Sequence, residues 1–409
     1  MHKKLFFPAV LLILSILACS IPGVTETPSE TESPGEVTDT PTSPAPASEL
    51  RVAYARGGNI WLWSESGGSR QLTFSGADSA PRIASDGAVV AFRRGEELWA
   101  VNSDGSGERL LVSAAYLAAL VPPAEGTAVL HWFAWQPASH SVYFGTSQQG
   151  EAFTVPVLDL HRVDADSGAP PSLLLPAGAG GWAYFSPDGR YLAVSQPENI
   201  LLFDPMSGSV STLLSFEFVM TYSEWFYLPE VTWKADASGL WTVIPAHDSL
   251  GVPTEPTEVW YIPLTGGATL LDSFVAAPVF VDFPRLSPDG TRVLYVQEGG
   301  GSNTLLLRQI GGGEMTVLTA AAGQFGTVGW APDSNQFVYW NPLPANAYYG
   351  YPGLGFSFVS DVGTEAYNVR WVDAARLLFL AGSDLRLRTG PASGLSIDSG
   401  VEAYDFTVH

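Results

Sequence analysis

The sequence predicts an all-β fold, an eight-bladed β-propeller of four-stranded antiparallel blades, with seven blades as the alternative. Three observations predict it. A turn motif recurs at intervals of about 40 to 53 residues, and four short strands fit each repeat of roughly 45 residues. The third is that residues 401–408 form a strand pattern with no repeat of its own. No long stretch of helical periodicity competes with these patterns.

The turn motif opens each repeat and is clearest in YFSPDGRYLAV at residues 184–194. Proline presets φ at the first central position of the turn, Asp can bond its own backbone, and Gly accepts the positive φ that closes the turn. Because the flanking residues are β-branched, aromatic or alternating, each copy predicts a hairpin between the first two strands of a blade. Seven copies lie at residues 83–92, 135–144, 185–194, 233–243, 286–296, 330–340 and 371–380.

A second turn follows each hairpin, as in LWAVNSDGSG at residues 98–107 and ILLFDPMSG at residues 200–208. A short apolar strand then completes the unit. Residues 51–73 supply strands two to four of one more unit but lack the first. We therefore expect the carboxyl-terminal strand to complete this amino-terminal blade, which closes the ring and removes its open edges. The unit at residues 113–173 is the least regular, and for this reason seven blades is the alternative.

The first 19 residues have the pattern of a lipoprotein signal peptide. Lys3 and Lys4 precede an apolar run at residues 5–18, which as a helix would cover about 21 Å of the roughly 30 Å hydrocarbon core. The end of this run with the residue that follows it, ILAC at residues 16–19, resembles the bacterial lipobox, which implies lipidation of Cys19, the only cysteine. Ordinary secretion with an incidental cysteine is the alternative. Residues 20–48, rich in Pro, Thr, Ser and Glu, predict a disordered tether, and residues 49–409 form the propeller domain.

The SPDG turns, each followed by an aromatic-rich strand, resemble the TolB-like and WD-repeat-like propellers of bacterial envelope proteins and the propellers of prolyl oligopeptidase relatives. The resemblance covers residues 50–409. It implies the propeller fold and a tendency to bind other molecules. TolB-like proteins usually have six blades and a separate amino-terminal domain, whereas here the tether leads directly into the first blade.

Sequence motifs for catalysis, metal binding and cofactor binding are missing. The Gly-x-Ser-x-Gly elbow of the oligopeptidase relatives does not occur, and the six histidines show no zinc-site spacing. Residues 102–107 and 164–168 superficially resemble calcium loops but lack the downstream Glu of an EF-hand. We therefore predict no catalytic residue, no metal and no cofactor. The net charge of −22 repels phosphate backbones, which argues against a nucleic-acid partner.

Propeller topology separates short turns from long loops. Turns between the first and second and between the third and fourth strands lie on one face, here named the turn face. Second-to-third loops and the connections between blades lie on the opposite face, here named the loop face. The predicted long segments all belong to the loop face: residues 113–127, 145–157, 215–229, 245–258 and 341–355.

Two of these segments, residues 215–229 and 341–355, are rich in aromatic residues. Exposed aromatic side chains on a rigid scaffold suggest a binding surface. Packing of the loops on one another, which would plug the channel, is an equal alternative. The predicted ligand-binding residues are Tyr222, Trp225, Phe226, Tyr227, His247, Asp248, Tyr348, Tyr349 and Tyr351, with Glu224 and Glu230 as further polar candidates.

The sequence therefore predicts a monomeric, membrane-anchored extracytoplasmic lipoprotein that binds a protein, peptide or glycan through its loop face without catalysis. One alternative is a glycan lyase or hydrolase with a site in the central channel, which would bring His131, His247 and two carboxylates around one cavity. A purely structural envelope scaffold is the other.

Overall fold

The computed structural model describes residues 48–120, 126–150, 154–221, 225–248, 255–299, 301–313, 315–321, 323, 325–342, 344–390 and 394–409. The predicted signal peptide, Cys19 and almost all of the tether lie outside these residues. The propeller occupies Ser48–His409. The described part of the chain contains no helix with the length and hydropathy that a membrane span requires.

Eight antiparallel sheets form the blades, so the prediction of eight rather than seven is confirmed. Blade 1 contains β1 (Leu50–Arg56), β2 (Asn59–Ser64), β3 (Gly68–Gln71) and the last strand, β33 (Val401–Val408). Blade 2 contains β4 (Asp78–Ile83), β5 (Val89–Arg94), β6 (Glu97–Asn102) and β7 (Arg109–Val112). Blade 3 contains β8 (Thr127–Trp135), β9 (Ser141–Gln149), β10 (Thr154–Pro156), β11 (Leu160–Asp164) and β12 (Ser172–Leu175). Blade 4 contains β13 (Trp182–Phe185), β14 (Leu192–Ser195), β15 (Asn199–Phe203) and β16 (Val210–Ser215).

The remaining blades follow the same order along the chain. Blade 5 contains β17 (Val231–Trp233), β18 (Gly239–Ile244), β19 (Thr257–Pro263) and β20 (Thr269–Phe274). Blade 6 contains β21 (Arg285–Leu286), β22 (Arg292–Gly299), β23 (Ser302–Gln309) and β24 (Met315–Ala321). Blade 7 contains β25 (Gly326–Trp330), β26 (Phe337–Pro342), β27 (Ala345–Tyr351) and β28 (Gly355–Phe358). Blade 8 contains β29 (Ala366–Trp371), β30 (Arg376–Ala381), β31 (Asp384–Thr389) and β32 (Leu395–Asp398).

The predicted ring closure is confirmed by the pairing of the two chain-terminal strands. β33 lies antiparallel to β1, from Leu50 opposite Val408 to Arg56 opposite Val401. The backbone N–H of Glu49 donates to the carbonyl of His409 at 2.8 Å. Blade 1 is therefore assembled from both ends of the propeller, and its first strand comes from the carboxyl terminus.

The hydrophobic core lies between blades rather than at one centre. Each of the eight main apolar clusters joins residues of two neighbouring blades, for example blades 6 and 7 around Leu294 and Phe337. Second strands such as β5 and β30 are consequently buried on both faces. This explains why a continuous apolar run, rather than an alternating one, follows each turn motif.

The turn motif folds as the sequence predicted. In the opening example, the Asp188 carboxylate accepts from the Ser186 hydroxyl at 2.6 Å and from the Arg190 N–H at 3.1 Å. Gly189 has φ +69°, and an added Cβ would lie 2.8 Å from the Pro137 carbonyl of blade 3. Only glycine avoids that contact while keeping the left-handed backbone.

Two predicted long loops contain regular elements, and blade 3 departs from the four-strand pattern. Residues 113–127 contain a short helix, α1 (Ala114–Ala119), whose N-cap Ser113 accepts from the Tyr116 N–H. Residues 145–149 extend β9 and residues 154–156 form β10, so both long segments lie at the predicted positions but contain regular elements. At the break between β10 and β11, buried Asp159 accepts from the Thr146 N–H at 2.7 Å and contacts His161 at 2.9 Å.

Candidate functional site

Three segments on the loop face pack together above blades 4 to 6, and we name them the loop cluster. They are residues 216–221 and 225–230 between blades 4 and 5, residues 245–248 after β18, and residues 275–284 between blades 5 and 6. The Met220 N–H donates to the His247 carbonyl at 2.7 Å. Val219, Tyr227 and Val279 form a small buried apolar group with Trp225 packed against it. The cluster therefore has a core of its own outside the blades.

Tyr227 supports this cluster from beneath. Its side chain is buried, its hydroxyl donates to the Val243 carbonyl at 3.2 Å, and its ring stacks on Phe283 at 6.0 Å. Phe226 contacts Phe218 edge-on at 6.5 Å, and both Trp225 and Phe226 are half-buried. Tyr222 and Glu224, also predicted as contacts, lie outside the described residues. Part of the aromatic segment thus packs inward, and part stays accessible.

The first of two neighbouring cavities in this region lies on the first strands of blades 4 to 6 and has a volume of about 610 Å³. Trp182, Tyr184, Tyr227 and Phe283 line it, together with Glu230 and Arg285. The last two form an ion pair, and burial lowers the pKa of Arg285. This cavity therefore combines aromatic surface with a charge pair that is already satisfied.

The second cavity, of about 600 Å³, lies beside the first, and we name it the Asp282 cavity. Five aromatic rings line it: those of Trp225, Phe280, Phe283, Phe325 and Trp340. The remaining lining residues are Val279, Val281, Gly326 and one charged residue, Asp282. Phe280 and Phe283 are 38% and 39% exposed, which is high for aromatic side chains of this size.

Asp282 is the unusual member of this lining because its carboxyl is buried without a basic partner among the described residues. It is 8% exposed, and its Oδ1 accepts from the Thr327 N–H at 3.0 Å. Its Oδ2 is buried and has no hydrogen-bond partner within the described ranges. Burial raises the pKa of Asp282 to about 6. A buried carboxyl of this kind is costly unless the site uses it.

His247 and Asp248 lie at the edge of the loop cluster rather than in either cavity. His247 Nδ1 lies 2.5 Å from Glu255 Oε2 and 3.8 Å from Glu217 Oε2. The hydrogen bond with Glu255 raises the pKa of His247. Asp248 is exposed. The structure therefore brings Trp225 and Tyr227 to the cavities but leaves these two polar candidates at the rim.

The prediction that residues 341–355 form a long loop carrying Tyr348, Tyr349 and Tyr351 is wrong. All three tyrosines lie in β27, the third strand of blade 7. Tyr349 is buried and donates to the Gly390 carbonyl of blade 8 at 2.9 Å. The Tyr351 hydroxyl accepts from Arg292 of blade 6 at 2.9 Å, and Tyr348 stacks on Tyr339. These rings hold blade 7 between its neighbours, and none of them lines either cavity.

Neither cavity brings together the two histidines that a channel enzyme would need. His131 is on β8, edge-on to Trp182 at 5.8 Å, and burial lowers its pKa. His247 belongs to the loop after β18 and lines neither of the cavities described above. Within the described ranges, no group of three or more His, Cys, Asp or Glu side chains could hold a metal ion.

Asp282, Phe280, Phe283, Phe325 and Trp340 are candidate site residues that the sequence pattern did not indicate. Their main segment, residues 275–284, is short and apolar, so it resembles an ordinary connection between blades. The sequence feature that could have indicated these residues is VFVDFP at residues 279–284, in which one acidic residue lies among apolar and aromatic neighbours.

The chain is similar to several solved structures at low sequence identity. A protein described as TolB from Agrobacterium tumefaciens is 16% identical with a TM-score of 0.34, over 75% of this chain and 98% of that one. TolB from Acinetobacter baumannii is 15% identical with a TM-score of 0.33, over 68% of this chain and 65% of that one. A eukaryotic initiation factor is 9% identical with a TM-score of 0.52, over 88% of this chain and 98% of that one. No protein-family model and no curated protein matches the chain. Of these three, only the initiation factor has a TM-score high enough to support a shared fold, and its low identity supports nothing beyond that fold.

Proposed function

We propose that this chain is a non-catalytic binding protein of the cell envelope, whose propeller recognises a protein, peptide or glycan partner through the loop cluster. The observation that carries the proposal is the pair of neighbouring cavities of about 610 and 600 Å³. They share Phe283, so one extended ligand can contact both. Cavities of this size with aromatic linings are typical of ligand sites.

The scaffold beneath the cavities suits recognition. Each cavity contacts strands whose blades are packed on both sides, whereas the cluster above them consists of two connections between blades and part of the second-to-third loop of blade 5. Loops over a rigid support are the usual position of binding residues. The half-exposed rings of Phe280 and Phe283 supply apolar contact area without losing much conformational freedom.

The proposal includes a lipid anchor at Cys19, with the tether holding the propeller away from the membrane. Replacement Cys19→Ser should release the protein from the membrane fraction and abolish incorporation of radiolabelled palmitate. A Cys19→Ser protein that remains labelled and membrane-bound would contradict the anchor without affecting the proposed binding site.

Binding is tested by applying the purified protein to arrays of peptides and glycans. We expect a Trp225→Ala, Phe280→Ala double variant to bind its array ligands at least about tenfold more weakly, because truncated aromatic anchors typically cost more than 1 kcal/mol each. The control is Met206→Ala, which removes a 93% exposed apolar side chain on the turn face. Equal loss in both variants, or no loss in the double variant, would contradict the proposal. Failure of every array ligand to bind would favour the structural scaffold.

A further inference from the structure

We propose that the Asp282 cavity binds an organic cation, namely the guanidinium or ammonium group of a basic side chain in a peptide partner. This inference rests on the proposed function of the loop cluster and adds the chemistry of its ligand. It follows from the lining of the cavity, from contacts that the same chain makes elsewhere, and from the charge of the molecule.

The polar part of the lining, Asp282, is best complemented by a hydrogen-bond donor with positive charge. Asp282 Oδ1 is bonded to Thr327, while Oδ2 has no partner among the described residues. A buried carboxylate oxygen without a partner is destabilising, and a cationic donor satisfies both its charge and its lone pairs. Burial raises the pKa of Asp282 to about 6, in accordance with a carboxyl that lacks a cation.

The apolar part of the lining suits the same ligand. Cations bind favourably over aromatic faces, and the attraction grows when both partners are shielded from water. Five aromatic rings surround the Asp282 cavity. A carboxyl beside several aromatic rings therefore provides both interactions that a guanidinium or ammonium group requires.

The protein already uses this arrangement with several of its own arginines, and the three with the shortest distances to a ring are Arg56, Arg94 and Arg370. Each site pairs the guanidinium with a carboxylate and lays it over an aromatic ring. Arg56 contacts Asp398 and lies 3.7 Å from the Trp61 ring centroid. Arg94 contacts Asp78 and lies 4.5 Å from Trp99, and Arg370 contacts Asp405 and lies 4.6 Å from Phe406. At Asp282 the carboxyl and the rings are present, but no basic side chain of the described residues pairs with the carboxyl.

A basic peptide is favoured over a glycan by the scarcity of polar groups. A sugar presents several hydroxyls, and sites that recognise one need several precisely placed polar side chains. Asp282 is the only polar residue among the nine that line this cavity, apart from the two indoles. The Trp340 indole is already bonded to Glu365 at 3.0 Å. The net charge of −22 also attracts cationic partners and accelerates their association.

The test is a tryptophan-fluorescence titration of the purified protein with matched charged and neutral probes. The charged probes are N-acetyl-arginine amide and N-acetyl-lysine amide, and the neutral ones are the citrulline and norleucine equivalents. We expect each neutral probe to bind at least tenfold more weakly than its charged counterpart. The tripeptide Gly-Arg-Gly should bind more tightly than the single residue if the cation belongs to a peptide, whereas equal affinity would indicate a free amine as the ligand and overturn the peptide assignment.

Two variants separate a specific contact from general attraction to an acidic protein. Asp282→Asn should weaken binding of the arginine probe at least tenfold. Glu96→Gln, which changes the net charge equally at an exposed position on the loop face, should leave it unchanged. Equal affinity for arginine and citrulline, full binding by Asp282→Asn, or no binding of any charged probe would overturn the inference. Array binding that depends on Trp225 and Phe280 but not on ligand charge would overturn it while leaving the proposed function intact.

Discussion

At the scale of single residues, the aromatic position before the turn motif links neighbouring blades. Four tryptophans at this position each donate an indole N–H to a backbone carbonyl in the first strand of the preceding blade. The bonds are Trp135 to Arg82 at 2.9 Å, Trp233 to Tyr184 at 3.0 Å, Trp330 to Arg285 at 2.9 Å, and Trp371 to Gly329 at 3.4 Å. The sequence showed the aromatic residue in the repeat, but the partner became visible only in the structure.

This link predicts the effect of removing a single donor. Trp330→Phe should lower the free energy of unfolding by about 1–3 kcal/mol, because it leaves the Arg285 carbonyl without its bond and also trims packing volume. Trp61→Phe is the control, since the Trp61 indole N–H is buried without a hydrogen-bond partner among the described residues and phenylalanine keeps an aromatic face beneath Arg56. Urea unfolding measures both. A loss for Trp61→Phe as large as that for Trp330→Phe would contradict the role of the hydrogen bond.

Asp282 predicts a pH-dependent contribution to stability. Its pKa in the folded protein is about 6, above the ordinary 3.8. Between these values the folded state binds more protons than the unfolded state, so this group's contribution falls as pH rises from about 4 to about 6, by at most about 3 kcal/mol. Asp282→Asn should therefore be more stable than the wild type at pH 7, and the difference should shrink at pH 4. Urea unfolding at both pH values checks this, and a variant that is less stable at pH 7 would contradict it.

At the scale of elements, the turn motif was predictable because local residues determine its geometry. Gly87, Gly189 and Gly290 all have positive φ at the same position of the turn. In two copies of the motif that lack this glycine, Ala237 and Ser334 have φ values of 56° and 63° at that position. These two copies therefore keep the turn, but a residue with a Cβ adopts the left-handed backbone conformation, which is strained.

This strain predicts a stabilising substitution. Ala237→Gly should raise the free energy of unfolding by about 0.5–1 kcal/mol, because glycine adopts the left-handed region without a steric cost. Ala235→Gly in the same exposed turn is the control, since its φ is not positive; it should be neutral or slightly destabilising. Thermal unfolding distinguishes the two. Stabilisation by both substitutions, or by neither, would count against the strain.

The loop elements were less predictable, and the reason differs from case to case. Residues 341–355 contain prolines and glycines that suggested a loop, but the tyrosines between them pair with β26 and form β27. The Asp282 cavity arises where residues 225, 275–284 and 325–340 meet, although they are far apart in the sequence. Trp225 and Tyr227 were predicted because their own segment is aromatic. Asp282 was not, because its burial depends on contacts with another blade.

At the scale of the whole molecule, repetition is what made the fold predictable. Each blade needs a neighbour on both sides to bury its strands, so the blade count and the closure of the ring follow from the same repeat. The lone carboxyl-terminal strand indicated which blade closes the ring. The candidate site, in contrast, includes residues 279–283 of a single blade connection, which are not part of the repeated turn motif.

Ring closure predicts that the last strand is required for folding. Deleting residues 401–409 should abolish cooperative unfolding and produce oligomers, because it exposes the whole edge of β1 and the blade 1 and blade 8 core around Tyr404. The control is Tyr404→Phe, which keeps the strand and loses only the contacts of the hydroxyl with the Leu378 and Asn368 carbonyls. It should cost about 1 kcal/mol. Size-exclusion chromatography and thermal melting measure both, and a monomeric, cooperatively folded truncation would contradict the prediction.

The central claim is that recognition takes place on the loop face, away from the prominent turn repeats. Hydrogen–deuterium exchange of the protein, with and without the tightest-binding array ligand, tests it most directly. We predict increased protection in residues 275–284 and 216–221, with no change in the turns at residues 186–190 and 287–291. Protection of those turns, with residues 275–284 unchanged, would contradict the claim.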